Sequence, residues 1–181
     1  VARGIYTGDG PVSYWNAYVA ITQMHGHGRF VDERIGVSVN NPPDPVSSKL
    51  TALRRYQFSL GTPVPETTPT DAIERGREVF AGPGKCTTCH VPPIFTDVNA
   101  GIHHSPVAVG QDPAYAARSA TKRFRTTPLR GLWHPPQLTG PYFHDGRAAT
   151  LTDVVDHYVK LLGLTLTARQ RMDLVRYLET L

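Results

Sequence analysis

A mainly α fold is expected for this chain, and three observations predict it. Capping signals followed by apolar residues at helical spacing recur near Thr68, Thr150 and Thr167. Gly and Pro number 16 each in 181 residues, which suits a few helices joined by long loops and argues against a coiled coil or a continuous bundle. With 40% hydrophobic residues, the chain can bury one real core, and its length allows one compact domain plus the remnant of another.

Residues 1–67 read as a helical N-terminal segment and linker, a remnant of a preceding domain. One helix from about Val12 to Gln23 carries Tyr14, Trp15, Tyr18, Val19 and Ile21, and a second from about Ser47 to Leu60 carries Leu50, Leu53, Tyr56 and Leu60. Met24-His25-Gly26-His27-Gly28-Arg29 and Asn40-Asn41-Pro42-Pro43-Asp44-Pro45 are turns between them, and Gly61 to Thr70 is a Pro/Thr linker. Trp15 is expected to pack inside.

Residues 68–181 read as the main domain. Thr68-Pro69-Thr70-Asp71 predicts a helix capped by Thr68, with Pro at its first position and an acid at its third, running to about Phe80. Ala72, Ile73, Gly76, Val79 and Phe80 share its apolar face. A helix from Thr150, capped through Asp153, to about Leu162 presents Leu151, Val154, Val155, Tyr158 and Leu161. The last helix opens on a Thr167–Gln170 capping box and carries Met172, Leu174, Val175, Leu178 and Leu181. Gly76 has no side chain, so the backbone of the last helix can approach it, with Phe80, Leu174 and Tyr177 filling the space around and Met172 in the core. Between Val91 and Ala149, Pro92, Pro93, Pro106, Pro113, Pro128, Pro135, Pro136 and Pro141 forbid long helices.

The chemistry is announced by the two cysteines, in Cys86-Thr87-Thr88-Cys89-His90. This C-x-x-C-H spacing is that of a c-type haem attachment site: the thiols reach the two vinyl groups and His90 becomes an axial iron ligand. A zinc site needs a second ligand pair, which is missing. A thioredoxin-like redox pair follows a strand, whereas a helix and Gly82-Pro83-Gly84 precede Cys86. A disulfide here would close a very small loop and stabilise little. One covalently bound haem c is therefore the expected cofactor, and the oxidising compartment where such haem is attached implies a periplasmic or extracellular location.

Val1-Ala2-Arg3-Gly4 lacks signal-peptide shape, so a cleaved leader is expected outside these residues, and no apolar run approaches the roughly 18 residues of a membrane span. Lys plus Arg exceed Asp plus Glu by 19 to 15, giving +4, and the densest basic stretch runs from Arg118 to Arg130 with Lys122, Arg123 and Arg125. Such a stretch suits an acidic partner or cofactor carboxylates, and no nucleic-acid motif accompanies it.

A helix entering C-x-x-C-H and crossing a C-terminal helix resembles the framework of a class I cytochrome c. Phe124-Arg125-Thr126-Thr127-Pro128-Leu129-Arg130, then Pro141-Tyr142-Phe143-His144-Asp145-Gly146 and Thr150-Leu151-Thr152-Asp153-Val154-Val155, resemble the C-terminal haem domain of the bacterial di-haem cytochrome c peroxidase family. That family includes the di-haem enzyme that matures methylamine dehydrogenase, with rubber oxygenases as more distant relatives, and the resemblance covers about Thr68 to Leu181. It implies a distal iron ligand about fourteen residues beyond the His of Pro-Tyr-x-His-Asp-Gly, which is Tyr158. His144, Met24, His25, His27 and an open sixth position are the alternatives, and the resemblance implies that His144 sits near the haem propionates.

Arg130 is the candidate propionate partner, since a buried carboxylate needs a charge-assisted donor. Pro92 or Pro93 is expected to offer the carbonyl that fixes the His90 tautomer. Trp133 is expected to pack inside. Two features depart from the family pattern: there is one attachment site only, and Trp133 to Thr139, with His134-Pro135-Pro136-Gln137, read as an insertion. The function expected is one-electron transfer by a mono-haem cytochrome to a redox partner protein, with another haem subunit or domain a candidate for that partner. The alternative is the C-terminal portion or a subunit of a multi-haem peroxidase or oxidase, which predicts an uncovered apolar helix face within residues 1–67. A sensor would need an output domain, and none is visible.

Overall fold

The computed structural model describes residues 10–61, 65, 67–119, 121–133 and 141–181, and the chain separates into two compact units, Val1–Gly61 and Thr62–Leu181. The expected insertion at 134–139 and part of the 61–70 linker lie outside the described residues.

In the first unit, helix α1 (Gly10–Tyr18) continues as a π-helical turn, Val19–His25, closed by Gly26 in the left-handed region at φ 72°. Strands β1 (Gly28–Asp32) and β2 (Val37–Asn41) follow as an antiparallel hairpin with Phe30 opposite Val39, and then helix α2 (Ser47–Ser59). Tyr14, Ala17 and Ile21, at helical spacing, bury against Phe30, with Val37, Val39 and Leu50 packed around them. The Tyr14 hydroxyl donates to the buried Asp32 carboxylate at 2.7 Å and ties α1 to the hairpin.

The hairpin corrects the expectation of a purely helical segment. Phe30 and Asp32 alternate inward in β1, a period of two that the neighbouring Gly/His turn hides. Trp15 is 53% exposed rather than buried, because Tyr14, Ala17 and Ile21 occupy the inward face of α1. No residue of α2 is buried, and Leu53, Tyr56 and Phe58 stand exposed on it.

The second unit is helical: α3 (Asp71–Ala81), the short α4 (Pro106–Val109) and α5 (Pro113–Ala116), α6 (Leu151–Leu161) and α7 (Ala168–Leu178). Complete capping boxes at Thr150/Asp153 and Thr167/Gln170 start α6 and α7. The cap of α3 is Thr70, whose hydroxyl accepts from the Ile73 N–H at 3.3 Å, so Pro69 lies before the helix and Thr68 is not its cap. Val79 and Phe80 of α3, Val155 and Val159 of α6, and Leu174 and Leu178 of α7 form the centre of the core.

α3 and α7 cross at Gly76. A Cβ there would strike the Asp173 backbone carbonyl and lie 2.8 Å from Tyr177 Cβ, so only glycine permits this approach. The Asp173 side chain accepts from Arg75 Nε at 2.7 Å, and Phe80 meets Tyr177 edge to face at 5.4 Å. Met172, expected in the core, is 59% exposed, because Asp173 and Leu174 take the inward positions of α7.

Gly76→Ala should therefore destabilise the second unit by about 1–3 kcal/mol, the usual cost of overpacking, seen as a lowered denaturation midpoint. A second expectation concerns acid. The Arg75 hydrogen bond holds the Asp173 carboxyl below its ordinary value. A depressed folded-state pKa stabilises above the unfolded value, about 3.9, and that stability drains as pH falls through the folded value. Asp173→Asn should lower the melting temperature at pH 7, and the gap to the parent should narrow below about pH 4.

Candidate functional site

α3 ends where Gly82 N–H returns to the Glu78 carbonyl and Gly84 N–H to that of Val79, both at 2.8 Å. Lys85 takes the left-handed region at φ 55°, and the chain enters a single tight turn, Cys86–Thr88. The Cys86 carbonyl accepts from the N–H groups of Cys89 at 3.3 Å and His90 at 2.8 Å, which sets both cysteines and the imidazole on one turn. A Cβ at Gly84 would lie 2.7 Å from the Val79 carbonyl oxygen and 3.4 Å from Cys86 Sγ, so glycine lets the thiol fold back against the helix end. Both thiols are free. Burial pushes Cys86 up to about 11 and raises Cys89 as well.

His90 Nδ1 lies 3.0 Å from the Phe95 carbonyl, so Nδ1–H donates there and Nε2 keeps the lone pair a metal needs. Burial pulls the imidazole pKa down, against opposing contributions from the Phe95 and Thr127 backbones. The orienting carbonyl is thus Phe95's and not that of Pro92 or Pro93. Phe95 at φ 54° turns its carbonyl back over the loop while its ring packs on Phe80 at 5.9 Å. The Pro93 carbonyl instead accepts from an Arg130 terminal nitrogen at 2.7 Å, and the Arg130 guanidinium lies 5.4 Å over the Phe95 ring. Arg130 is exposed and braces the loop, with guanidinium donors left over for a carboxylate.

Sequence reasoning missed a buried polar knot behind this turn. The Thr96 hydroxyl donates to the Thr126 carbonyl at 2.7 Å. The buried Asp97 carboxylate meets His104 Nε2 at 2.7 Å, and the His104 backbone pairs in both directions with Phe124 at 2.8 Å. Burial alone would raise the Asp97 carboxyl, but hydrogen bonding and the His104 ring hold it below the ordinary value, while its second oxygen and the Thr126 hydroxyl have no hydrogen bond among the described residues. His104 Nδ1 is 4.0 Å from Cys89 Sγ, and the ligand atoms of Cys89, Asp97 and His104 all lie within 4.8 Å of one another. A metal ion there would need the same Cys89 thiol that the C-x-x-C-H spacing would commit to a haem.

Tyr158 projects from α6 into a largely buried position. Burial raises its phenol, the charges of Cys89 and Cys86 reach it, and its hydroxyl makes no hydrogen bond among the described residues. Phe143, at 6.2 Å, and His157, at 5.0 Å, flank its ring, and His157 Nε2 is tied to the Val109 carbonyl at 3.1 Å. His144 is exposed and lies tilted by 31° against the Tyr115 ring, centroids 4.4 Å apart. Met24, 80% exposed, and His27, beside the Pro42 carbonyl at 3.3 Å, belong to the first unit; the His25 side chain lies outside the described residues. Trp133 is half-buried. Two free thiols on one turn, an imidazole with its outer nitrogen held and its inner one unprotonated, and a half-buried phenol with no hydrogen bond among the described residues make a donor set that fits a haem.

The site and its sequence relatives define a haem protein, and the chain resembles the di-haem cytochrome c peroxidase family. It is 34% identical to the methylamine utilization protein MauG of Methylorubrum extorquens over 60% of this chain and 34% of that protein. It is 28% identical to the cytochrome-c peroxidase IdrP2 of Denitromonas iodatirespirans over 62% of this chain and 40% of that one. With the gamma subunit of hydrazine synthase from Kuenenia stuttgartiensis it shares 29% identity over 80% of this chain and 51% of the subunit. The chain therefore spans between a third and about half of the length of these relatives. No protein-family model and no solved structure matches it.

The knot can be tested by His104→Ala, which leaves the buried Asp97 carboxylate short of a donor. A loss of about 1–3 kcal/mol in unfolding free energy is expected, with partial recovery in His104→Gln, which restores a donor.

Proposed function

We propose that this chain is a mono-haem c-type cytochrome with a class I cytochrome c-like haem domain, carrying single electrons to and from a protein partner in the periplasm or outside the cell. The observation that carries the reading is the turn that holds Cys86, Cys89 and His90 together, with His90 Nδ1 committed to the Phe95 carbonyl. A haem c bound here supplies reversible one-electron iron chemistry. Cys86 and Cys89 would hold the macrocycle by thioethers, His90 would give its nitrogen to the iron, and Arg130 would offer its remaining donors to a propionate. Tyr158, half-buried and without a hydrogen bond among the described residues, supports the reading of a sixth ligand on the iron, where as a phenolate it would lower the reduction potential. His90 is kept in one tautomer by the Phe95 carbonyl, which raises its basicity as a ligand.

Haem that resists acid–acetone extraction and gives a two-thioether pyridine haemochrome spectrum is expected, with one thioether lost in Cys86→Ala. Extractable or absent haem overturns the reading. Tyr158→Phe should raise the midpoint potential and alter the low-spin ferric signal in electron paramagnetic resonance; an unchanged spectrum removes Tyr158 as the ligand.

A second reading, that the chain works within a multi-haem peroxidase or oxidase, is favoured by the relatives named as peroxidases and by the exposed Leu53, Tyr56 and Phe58 of α2, an apolar surface suited to a further subunit or domain. Rapid reaction of the ferric protein with hydrogen peroxide supports that reading over simple electron transfer.

A further inference from the structure

Residues 113–144 contain five basic residues, Arg118, Lys122, Arg123, Arg125 and Arg130, and not one Asp or Glu. All five are exposed, and among the described residues none pairs with a carboxylate. The acids at either end are already engaged: Asp112 accepts from the Ala114 N–H at the start of α5, and Asp145 holds Arg147 at 3.1 Å. Within the same stretch and just beside it, three rings gather at the surface. Tyr115, 49% exposed, lies 4.4 Å from the exposed His144 and 6.1 Å from Phe124, nearly parallel to the latter, and Arg118 covers Tyr115 at 5.5 Å. An exposed aromatic cluster with Arg118 laid on it, and Lys122 and Arg125 exposed within two residues of Phe124 in the chain, has the composition of a protein docking surface, where Tyr and Arg supply most of the binding energy.

The place of this surface ties it to the site. Phe124 is bonded through its backbone to His104, whose Nδ1 lies 4.0 Å from Cys89 Sγ. One residue pair therefore separates the rings from an attachment thiol. An anionic membrane would call for an amphipathic helix, whereas α5 is a single turn of four residues and the rings pack against one another.

We infer that the face formed by Tyr115, Phe124 and His144 with Arg118, Lys122 and Arg125 docks an acidic one-electron-transfer protein. The inference rests on the haem reading above. In the complex one electron leaves the ferrous iron, which becomes ferric, and reduces the oxidised centre of the partner by one unit. The cations steer the encounter, and the rings give the docked state its contact area.

The test uses the haem-loaded chain, with the acidic copper protein plastocyanin in its cupric form as probe and stopped-flow oxidation of the ferrous haem as readout. The triple variant Arg118→Glu, Lys122→Glu, Arg125→Glu should slow the second-order rate by at least about tenfold at roughly 10 mM salt, and the difference should shrink to about twofold at roughly 0.5 M. A control triple, Lys49→Glu, Arg55→Glu, Lys160→Glu, makes the same change in net charge at exposed positions elsewhere and should cost about threefold or less. Equal slowing in both triples overturns the inference, since net charge and not this face would then govern the encounter. An unchanged rate in the first triple, with circular dichroism showing it folded, overturns it too. So does binding of phosphatidylglycerol vesicles through the same three residues without any effect on plastocyanin oxidation. A chain without covalent haem defeats the haem reading itself, whereas a haem-loaded chain indifferent to these substitutions defeats only the docking face.

Discussion

The approach of α7 to Gly76 is the contact from which the rest of the second unit follows. One residue of α7 grips α3 twice: the Asp173 carbonyl fills the space a Cβ would occupy, and the Asp173 carboxylate takes the Arg75 guanidinium. That grip fixes the end of α3, and Cys86 lies a few residues beyond it. One turn along α3 from Gly76, Phe80 packs on Tyr177 of α7 on one side and on Phe95 on the other. Phe95 then lends its carbonyl to His90. A short series of contacts thus runs from a helix crossing to the orientation of a single imidazole, and loosening the crossing loosens the ring.

The loops around the site are held by a different kind of force. With no ladder to absorb them, each buried polar group in this Pro-rich region must find its own partner or cost about 1–3 kcal/mol. Most are found one by one: Thr96 with the Thr126 carbonyl, one Asp97 oxygen with His104, Arg130 with the Pro93 carbonyl, and Gly131 N–H with the Leu181 carbonyl at 2.8 Å, while the other Asp97 oxygen, the Thr126 hydroxyl and the Gln111 amide oxygen stay buried without a hydrogen bond among the described residues. The Gly131–Leu181 bond joins the chain terminus to the segment that carries Arg130. Rigidity at the turn comes from such pairwise closure more than from secondary structure, which is why a loop can hold the His90 ring, the proposed iron ligand, in place.

Helices α6 and α7 were legible because their capping boxes and apolar spacing are local signals. α3 was legible except for its first residue, where Thr68 and Thr70 flank a proline and only the backbone conformation decides which of them caps. The β-hairpin was not read, since five-residue strands beside a Gly/His turn carry too short an alternation. Asp173 illustrates a deeper limit: an acid on the inward face of α7 contradicts the apolar pattern, and its reason, Arg75, is 98 residues away. The Cys86, Cys89 and His90 turn was plain from spacing. The Phe95 carbonyl and the Asp97–His104 pair were not, because backbone direction in a loop leaves no periodicity to read. Tyr158 came forward through resemblance, and the structure adds that its side chain is half-buried with no hydrogen bond among the described residues.

The acidity of the thiols separates the two chemistries that a C-x-x-C pair can serve. A redox dithiol works as thiolate, and positive charge or a helix N-terminus lowers its pKa to supply it. Here the pair follows the C-terminal end of α3, the negative end of the helix dipole, and burial carries Cys86 up to about 11. Burial thus keeps the Cys86 thiol protonated at pH 7, the opposite of what a redox dithiol requires. A thiol consumed once, in forming a thioether, needs no standing population of thiolate. The same partial burial that makes the pair a poor redox couple suits the proposed contact with a large apolar ring, with His90 set on the same turn.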